Sequence, residues 1–210
     1  MLVTILVIAL LITLNALYVA GEFAAVSTRR TRVRQFAEGG SAPARWLLSI
    51  IESGPAIDRY VAGCQVGITL SSLLLGAYGQ AALTPAAADA LEEYAGVGPA
   101  GALGIAATMV LVGLTATQVV LGELVPKSVA LQFPTPVALY TSVPMRASLW
   151  LFAPLIAVLN GSGLAILRLL RAPATGHRHI HSPDEIALLI AESREGGLFS
   201  EEEQEQFDRA

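Results

Sequence analysis

Charged side chains are scarce in this sequence. Asp, Glu, Lys and Arg make up 14% of its 210 residues, whereas 54% of the residues are hydrophobic and the mean hydropathy is +0.60. A soluble globular domain carries about 25% charged residues. The composition therefore argues against a soluble domain and predicts a protein that lies in a membrane.

Cysteine is almost absent as well. Cys64 is the single cysteine and lies in an apolar stretch, so no disulfide can form within the chain and redox chemistry is not expected. The sequence has no glycine-rich loop for phosphate, and hydroxyl side chains such as Ser27 have no acid or base partner in the surrounding sequence. We therefore predict that the protein is not an enzyme.

Three long stretches without a charged side chain account for this composition. They cover residues 1–20, 60–88 and 94–122, and a helix needs about 20 mostly apolar residues to cross a bilayer. Basic residues follow the first stretch rather than precede it, so we interpret it as an uncleaved span and not as a signal peptide. The predicted spans are about 1–28, 57–84 and 98–124.

Basic residues indicate the orientation of these spans. Arg29, Arg30 and Arg32 follow the first span, and Lys127 and Arg146 follow the third. The loop between the second and third spans carries acidic side chains and no basic one. Because cytoplasmic loops collect Lys and Arg, we predict a multi-pass protein of the cell inner (plasma) membrane, with its N-terminus outside and its C-terminus in the cytoplasm.

The apolar stretch after the third span is less regular. Pro144, Pro154 and the Asn-Gly-Ser-Gly sequence at 160–163 interrupt it, and a complete fourth crossing would place Arg168 outside the cell. Broken helices are tolerated in membranes where protein or water covers the backbone. We predict that residues 134–171 form a re-entrant or interfacial helical hairpin on the cytoplasmic side; an ordinary fourth helix is the alternative.

Short helices are also predicted next to the membrane and in the C-terminal region. Apolar side chains beside Arg45 favour an interfacial helix at 45–51 over a plain loop. Ser182 begins a capping box with a proline at the first helical position, and Ser200 repeats the capping signal. The second of these helices has no C-terminal cap, so we expect a soluble domain to follow.

The predicted fold is thus an all-α membrane protein. Residues 1–175 form a transmembrane domain with three transmembrane helices and short re-entrant or juxtamembrane helices. Residues 176–210 form a cytoplasmic helical linker.

A carboxylate and a proline follow the third apolar stretch directly, and we predict that the apolar helix ends at Glu123. Pro126 has no N–H, so the carbonyl oxygen of Gly122 loses its helical partner beside the Glu123 carboxylate. Hard cations such as Mg²⁺ take oxygen ligands of these kinds, and an ionisable residue in a membrane is a functional candidate. The alternative is an ion pair between Glu123 and Lys127, four residues on.

Polar side chains in the second span could complete a cation site. Gln65, Thr69 and Ser72 are spaced so that they share one helix face, with Ser71 beside them. Such groups can also simply hydrogen-bond to neighbouring helices. A separate row of small residues in this span is suited to close helix packing. This row consists of Gly63, Gly67 and Ser71.

The first span adds two further polar residues. Asn15 and Glu22 are seven residues apart and therefore lie on one helix face. Glu22 is a candidate second acidic group in an ion pathway. The alternative is that Glu22 pairs with Arg29 or Arg30.

Four stretches of the sequence, in this order, resemble one protein family. They resemble the transmembrane domain and following linker of the cyclin M / CorC magnesium transporters, and within them the bacterial hemolysin-like branch. The resemblance covers nearly the whole chain, and GE-x-x-PK is its most specific element. The stretches are NALYVAGEFAAVSTRRTRVRQFAEGG (15–40), GCQVGITLSSLLLGAYG (63–79), GELVPKSVAL (122–131) and HSPDEIALLIAESREGGLFSEEE (181–203).

The resemblance implies a homodimer that holds a partly or fully dehydrated Mg²⁺ among its spans. It implies that Glu123, the glutamate of GE-x-x-PK, is a ligand. Val19 stands where the family has a serine ligand, Ser72 matches a second serine, and a family asparagine falls near Ile68 or Thr69. The family also implies that paired nucleotide-binding CBS domains follow the linker.

The expected function is Mg²⁺ transport. Export is the expected direction, and the sequence does not decide whether it is coupled to Na⁺. The expected partners are a second copy of the chain, the lipid bilayer, Mg²⁺ and Na⁺, with no nucleic acid. The alternative is a membrane anchor or sensor that positions a cytoplasmic domain without moving ions. The expected metal ligands are Glu123, Gly122, Gln65, Thr69, Ser72 and Glu22, accompanied by Asn15, Ser71, Pro126 and Lys127.

Overall fold

The computed structural model describes residues 1–169, which are helical apart from short connections, and none of these residues forms a strand. The helices follow one another closely along the chain. They are α1 (Leu2–Ser27), α2 (Arg30–Glu38), α3 (Ala42–Ile51), α4 (Gly54–Ala95), α5 (Pro99–Thr117), a π-helical turn (Gln118–Leu124), α6 (Val125–Gln132), α7 (Pro134–Leu151) and α8 (Ala153–Leu169).

Three of these helical segments are long and apolar enough to cross a membrane. They are α1, α4 and the continuous helix Pro99–Gln132, which contains α5, the π-helical turn and α6. The all-α membrane fold with three spans and shorter helices is confirmed. At 42 residues, α4 is about 63 Å long, so it extends well beyond the ~30 Å hydrocarbon core. It ends at Gly96, whose φ of 62° is the left-handed conformation typical of a helix C-terminus.

The third helix does not end where the sequence indicated. Glu123 and Pro126 were expected at the end of an apolar helix, but the helix continues to Gln132. The π-helical turn Gln118–Leu124 directly precedes the proline. A widened turn shifts the hydrogen-bond register of the helix, so the proline ring is accommodated with little disruption.

Small residues bring α1 and α7 close to α4. Gly63, Gly67 and Ser71 are all buried, so the predicted row of small residues is confirmed. A Cβ atom on Gly63 would overlap the side chain of Leu149, and one on Gly67 would overlap the ring of Tyr18. Because α1 and α4 run antiparallel, successive residues of α1 meet successively earlier residues of α4.

The short helices pack against the same end of the bundle. α3 begins at an N-cap, Ser41, whose hydroxyl accepts a bond from the amide of Ala44 at 3.4 Å. Leu47 is fully buried, so the predicted helix exists and packs onto protein; its position at the membrane interface stays a prediction. An exposed ion pair between Arg34 and Glu52 joins α2 to the end of α3, and this hydrogen-bonded contact raises the pKa of Arg34.

Residues 134–169 form two helices with a bend of 70° between them. Two of the predicted breaks are wrong, because Pro144 lies inside α7 and residues 160–163 lie inside α8. The glycines at 161 and 163 do not end α8, because a glycine inside a helix costs only about 1 kcal/mol. The Ser162 hydroxyl donates a hydrogen bond to the carbonyl of Val158 in the same helix.

The bend falls at Phe152, two residues before Pro154, where the proline ring disfavours continuation of the helix. The pair fits either a broken span or a re-entrant segment, so the hairpin stays a prediction. The predicted linker at 176–210, with both capping signals, lies outside the described residues.

Candidate functional site

A buried polar cluster joins the three spanning helices around Asn15, whose side chain is 1% exposed. Its amide Nδ2 donates to the carbonyl oxygen of Gly122 at 3.0 Å. Its Oδ1 accepts from the hydroxyls of Ser71 at 2.9 Å and Ser72 at 3.2 Å. Gln118 Nε2 in turn donates to Ser72 Oγ. We call these five residues the Asn15 cluster.

The position of the Asn15 cluster follows from its helices. Asn15 lies midway along α1, so we expect the cluster to lie near the middle of the bilayer. Polar groups at that depth must be satisfied inside the protein. Antiparallel packing places the serine pair of α4 at the same level, and the π-helical turn brings Gly122 from the third span.

Gly122 makes the close approach of α1 possible. A Cβ atom there would lie 3.0 Å from Asn15 Nδ2, tighter than an ordinary contact. The predicted loss of a helical partner is consistent with the bond that the Gly122 oxygen accepts from another helix. The expectation that this oxygen is unpaired is wrong, because it accepts the bond from Asn15 Nδ2; its role as a metal ligand stays a prediction.

Glu123 follows Gly122 directly and is half-buried. Within residues 1–169 its carboxylate accepts no side-chain hydrogen bond and forms no ion pair. The predicted alternative, an ion pair with Lys127, is not formed; Lys127 Nζ lies 4.5 Å from the ring centroid of Phe23 instead. The carboxylate that directly follows Gly122 in the sequence therefore has no protein partner in the described part of the chain.

Glu22 has a different partner from the one considered. Gln65 Nε2 donates to both of its carboxylate oxygens, at 2.9 and 3.1 Å. Neither Arg29 nor Arg30 pairs with Glu22 in the described structure. Glu22 is seven residues beyond Asn15, about 10 Å along the helix, in the direction of the predicted cytoplasmic end.

The polar face predicted on α4 is divided between separate partners. Ser72 belongs to the Asn15 cluster, Gln65 binds Glu22, and Thr69 is exposed without a side-chain hydrogen bond among residues 1–169. Val19, at the position of a family serine, is buried at 4% exposure and offers no side-chain oxygen. The predicted face is divided because the antiparallel register brings Glu22 of α1 to Gln65 and Asn15 to Ser72, and leaves Thr69 without a polar partner on α1.

Gln118 was missed from the sequence. It is the one amide side chain in the charge-free stretch 94–122 and lies one helical turn before Gly122, a signal that could have identified it.

No group of three or more His, Cys, Asp or Glu side chains is close enough to hold a metal within the described range. A cation bound here would take mixed ligands: one carboxylate with hydroxyl, amide and main-chain oxygens, a donor set that hard cations accept.

The Asn15 cluster should contribute measurably to stability. Asn15→Leu keeps the side-chain size but leaves the Gly122 carbonyl and Ser72 hydroxyl without this partner in a region that lacks water. We expect a loss of about 1 to 2 kcal/mol in unfolding free energy, measured by denaturant titration in detergent micelles. Thr13→Val is the control, because the exposed Thr13 hydroxyl bonds only to its own helix; equal losses in the two variants would contradict a structural role for the cluster.

Comparison with known proteins matches the chain to one family. The model of the cyclin M transmembrane N-terminal domain covers residues 6–203. An uncharacterized protein of Mycobacterium tuberculosis is 37% identical over 96% of this chain and 56% of its own length. A UPF0053 protein of Synechocystis is 34% identical over 96% of this chain and 44% of its own length.

A more distant relative carries a functional name. The polyamine export protein of Haemophilus influenzae is 26% identical over 95% of this chain and 45% of its own length. The chain spans about half the length of these relatives. The match over residues 6–203 confirms the family predicted from GE-x-x-PK and the three other stretches: the chain belongs to the cyclin M transmembrane N-terminal domain family and is a multi-pass membrane protein.

Proposed function

We propose that this chain is the membrane domain of a divalent-cation transporter with Mg²⁺ as its cargo. The observation that carries the proposal is Glu123: a half-buried carboxylate in a membrane-spanning helix, without a partner in the described structure, that directly follows Gly122 of the buried Asn15 cluster. Ionisable groups within such helices are costly and mark ion pathways. A cation would neutralise this carboxylate.

The ligands we propose are all oxygens. Glu123 would supply the charge, and Ser72, Asn15 and the Gly122 carbonyl would supply neutral oxygens. In the structure these neutral oxygens accept hydrogen bonds from donors within the Asn15 cluster, including Gln118 Nε2. An entering cation would compete with those donors for the same lone pairs, so binding would require the Asn15 amide to turn away from Gly122.

A second station supports a pathway. Glu22 and Gln65 lie on the predicted cytoplasmic side of the Asn15 cluster. In a cytoplasm-to-outside direction, a cation would meet Glu22 first and Glu123 next.

Export needs an energy source, and inward movement of Na⁺ is the one that we propose. A homodimer is part of the proposal: α5 exposes apolar side chains on several sides, and we propose that a second copy covers part of this surface and lipid the rest. These side chains include Leu103, Met109, Leu111 and Val112.

Polyamine transport is a second candidate. A relative carries the name polyamine export protein, and a linear polycation would also be attracted by two carboxylates, Glu22 and Glu123, at different depths. Its extended chain of ammonium groups does not need the compact oxygen shell that Mg²⁺ requires. The close packing of amide and hydroxyl oxygens around Asn15 therefore favours the metal.

The two candidates separate in one assay. The chain is reconstituted into liposomes, and uptake of Mg²⁺ and of radiolabelled spermidine is measured with and without a Na⁺ gradient. We expect Mg²⁺ flux that a Na⁺ gradient accelerates, with no spermidine flux. Spermidine flux without Mg²⁺ flux would assign the polyamine function. Neither flux, together with no heat on Mg²⁺ titration, would assign the anchor role.

A further inference from the structure

A cavity of about 530 Å³ lies between α3, the start of α4 and the α7–α8 junction, away from the Asn15 cluster. It combines basic, aromatic and apolar side chains. Its main lining residues are Arg59, Arg146, Trp46, Trp150, Ile50 and Leu149. The mechanism proposed above uses none of them.

The cavity is electrostatically positive. The guanidinium groups of Arg59 and Arg146 line it, no acidic side chain does, and neither arginine forms an ion pair within residues 1–169. Helix α4 begins at this cavity, and its N-cap residue Ser53 makes no side-chain capping bond. The first turn of a helix carries a partial positive charge, although in this turn Pro55 has no N–H and the amides of Ala56 and Ile57 donate to the Ser53 carbonyl. The attraction for an anion therefore comes mainly from the two arginines.

The depth of the cavity matches the membrane surface. Arg59 immediately precedes the charge-free stretch that begins at Tyr60, so we expect its guanidinium to lie where the hydrocarbon begins. Trp150 is 82% exposed, and exposed tryptophans concentrate at the interface between headgroups and acyl chains. The apolar part of the lining would contact an acyl chain while the arginines contact the headgroup.

We propose that this cavity binds the headgroup of an anionic phospholipid. The phosphate would lie between Arg59 and Arg146 near the start of α4. The part of the acyl chain nearest the headgroup would pass along Trp150 and Leu149. A soluble phosphate ion would bind the arginines in the same way, but it has no apolar part to contact the exposed tryptophan and the apolar side chains of the cavity. The lipid therefore fits the whole lining.

The chain contains only two tryptophans, and both line this cavity. Intrinsic fluorescence thus reports on the cavity without any label. The chain is reconstituted into bilayers of unlabelled phosphatidylcholine. A rising fraction of one brominated lipid is then added, either phosphatidylglycerol or phosphatidylcholine. In both lipids the bromine is near the headgroup end of the acyl chain. We expect brominated phosphatidylglycerol to quench at a fraction about tenfold lower than brominated phosphatidylcholine, since two basic groups near the surface each favour anionic lipid.

Matched variants assign this preference to the cavity. The double variant Arg59→Gln/Arg146→Gln should lose the preference, and Arg59→Lys/Arg146→Lys, which keeps both charges, should retain most of it. Arg29→Gln/Arg30→Gln removes the same charge from exposed residues that do not line the cavity, and it should quench like the wild type. Circular dichroism of each variant checks that it is folded.

Three results would overturn the proposal. The wild type could show no preference for the anionic lipid. The cavity and control double variants could lose the preference equally, which would assign it to general surface charge. Inorganic phosphate at millimolar concentration could abolish the preference or change the fluorescence in pure phosphatidylcholine, which would assign the cavity to a soluble anion.

Discussion

Glu123→Gln should lower Mg²⁺ flux at least about tenfold, because a hard cation among neutral oxygens depends on its one carboxylate ligand. Glutamine keeps the shape and one oxygen of the side chain but removes the charge. The flux of the variant is measured in liposomes beside the wild type, and its Mg²⁺ affinity by calorimetry. Glu93→Gln is the control, because Glu93 is an exposed acid near the end of α4, and its flux should be unchanged.

The same variant separates a transport role from a structural one. Glu123 has no ion-pair partner among the described residues, so removing its charge should leave the unfolding free energy unchanged or raise it. A structural carboxylate would instead leave a partner unpaired and lower stability. Full transport by Glu123→Gln would remove this residue from the site, whatever its stability.

Gly67→Ala should destabilise the bundle by about 1 to 3 kcal/mol, the usual cost of overpacking a core. The added Cβ would overlap the ring of Tyr18. That ring is 9% exposed and its hydroxyl is bonded to Ser148 at 2.9 Å, so it cannot move aside without breaking this bond. The measurement is the thermal unfolding midpoint in detergent.

Gly76→Ala is the matched control, because it lies on the same helix and its Cβ would meet nothing within 4 Å. Alanine is favoured over glycine in a helix by about 0.5 to 1 kcal/mol, so this variant should be at least as stable as the wild type. Gly63→Ala should fall between the two, since its Cβ meets the flexible end of Leu149. Equal midpoints for Gly67→Ala and Gly76→Ala would show that α1 and α4 pack less closely than described.

The candidate site was only partly predictable. The sequence identified Glu123, Asn15, Ser71 and Ser72 as polar groups that are costly in a membrane. It could not show that Asn15 would bind the Gly122 carbonyl, because that bond joins residues 107 positions apart. Helical spacing alone placed Gln65, Thr69 and Ser72 together, whereas the partners on α1 separate them.

Some helix ends could not be predicted from the sequence. Pro126 and residues 160–163 read as breaks, yet both lie inside helices. A local break signal is worth about 1 to 3 kcal/mol, and a widened turn or continued packing can offset it. The third predicted break is found, because the bend at Phe152 lies two residues before Pro154.

The sequence by itself determined the three spans, the family and the small-residue row on α4. These follow from apolar length, from the GE-x-x-PK element and from a four-residue repeat, and each is a property of neighbouring residues. The tertiary structure alone decided which polar groups meet, because hydrogen bonds between helices depend on the register of one helix against another. For that reason the partner of the Gly122 oxygen, the role of Gln118 and the cavity between Arg59 and Arg146 became visible only in the folded chain.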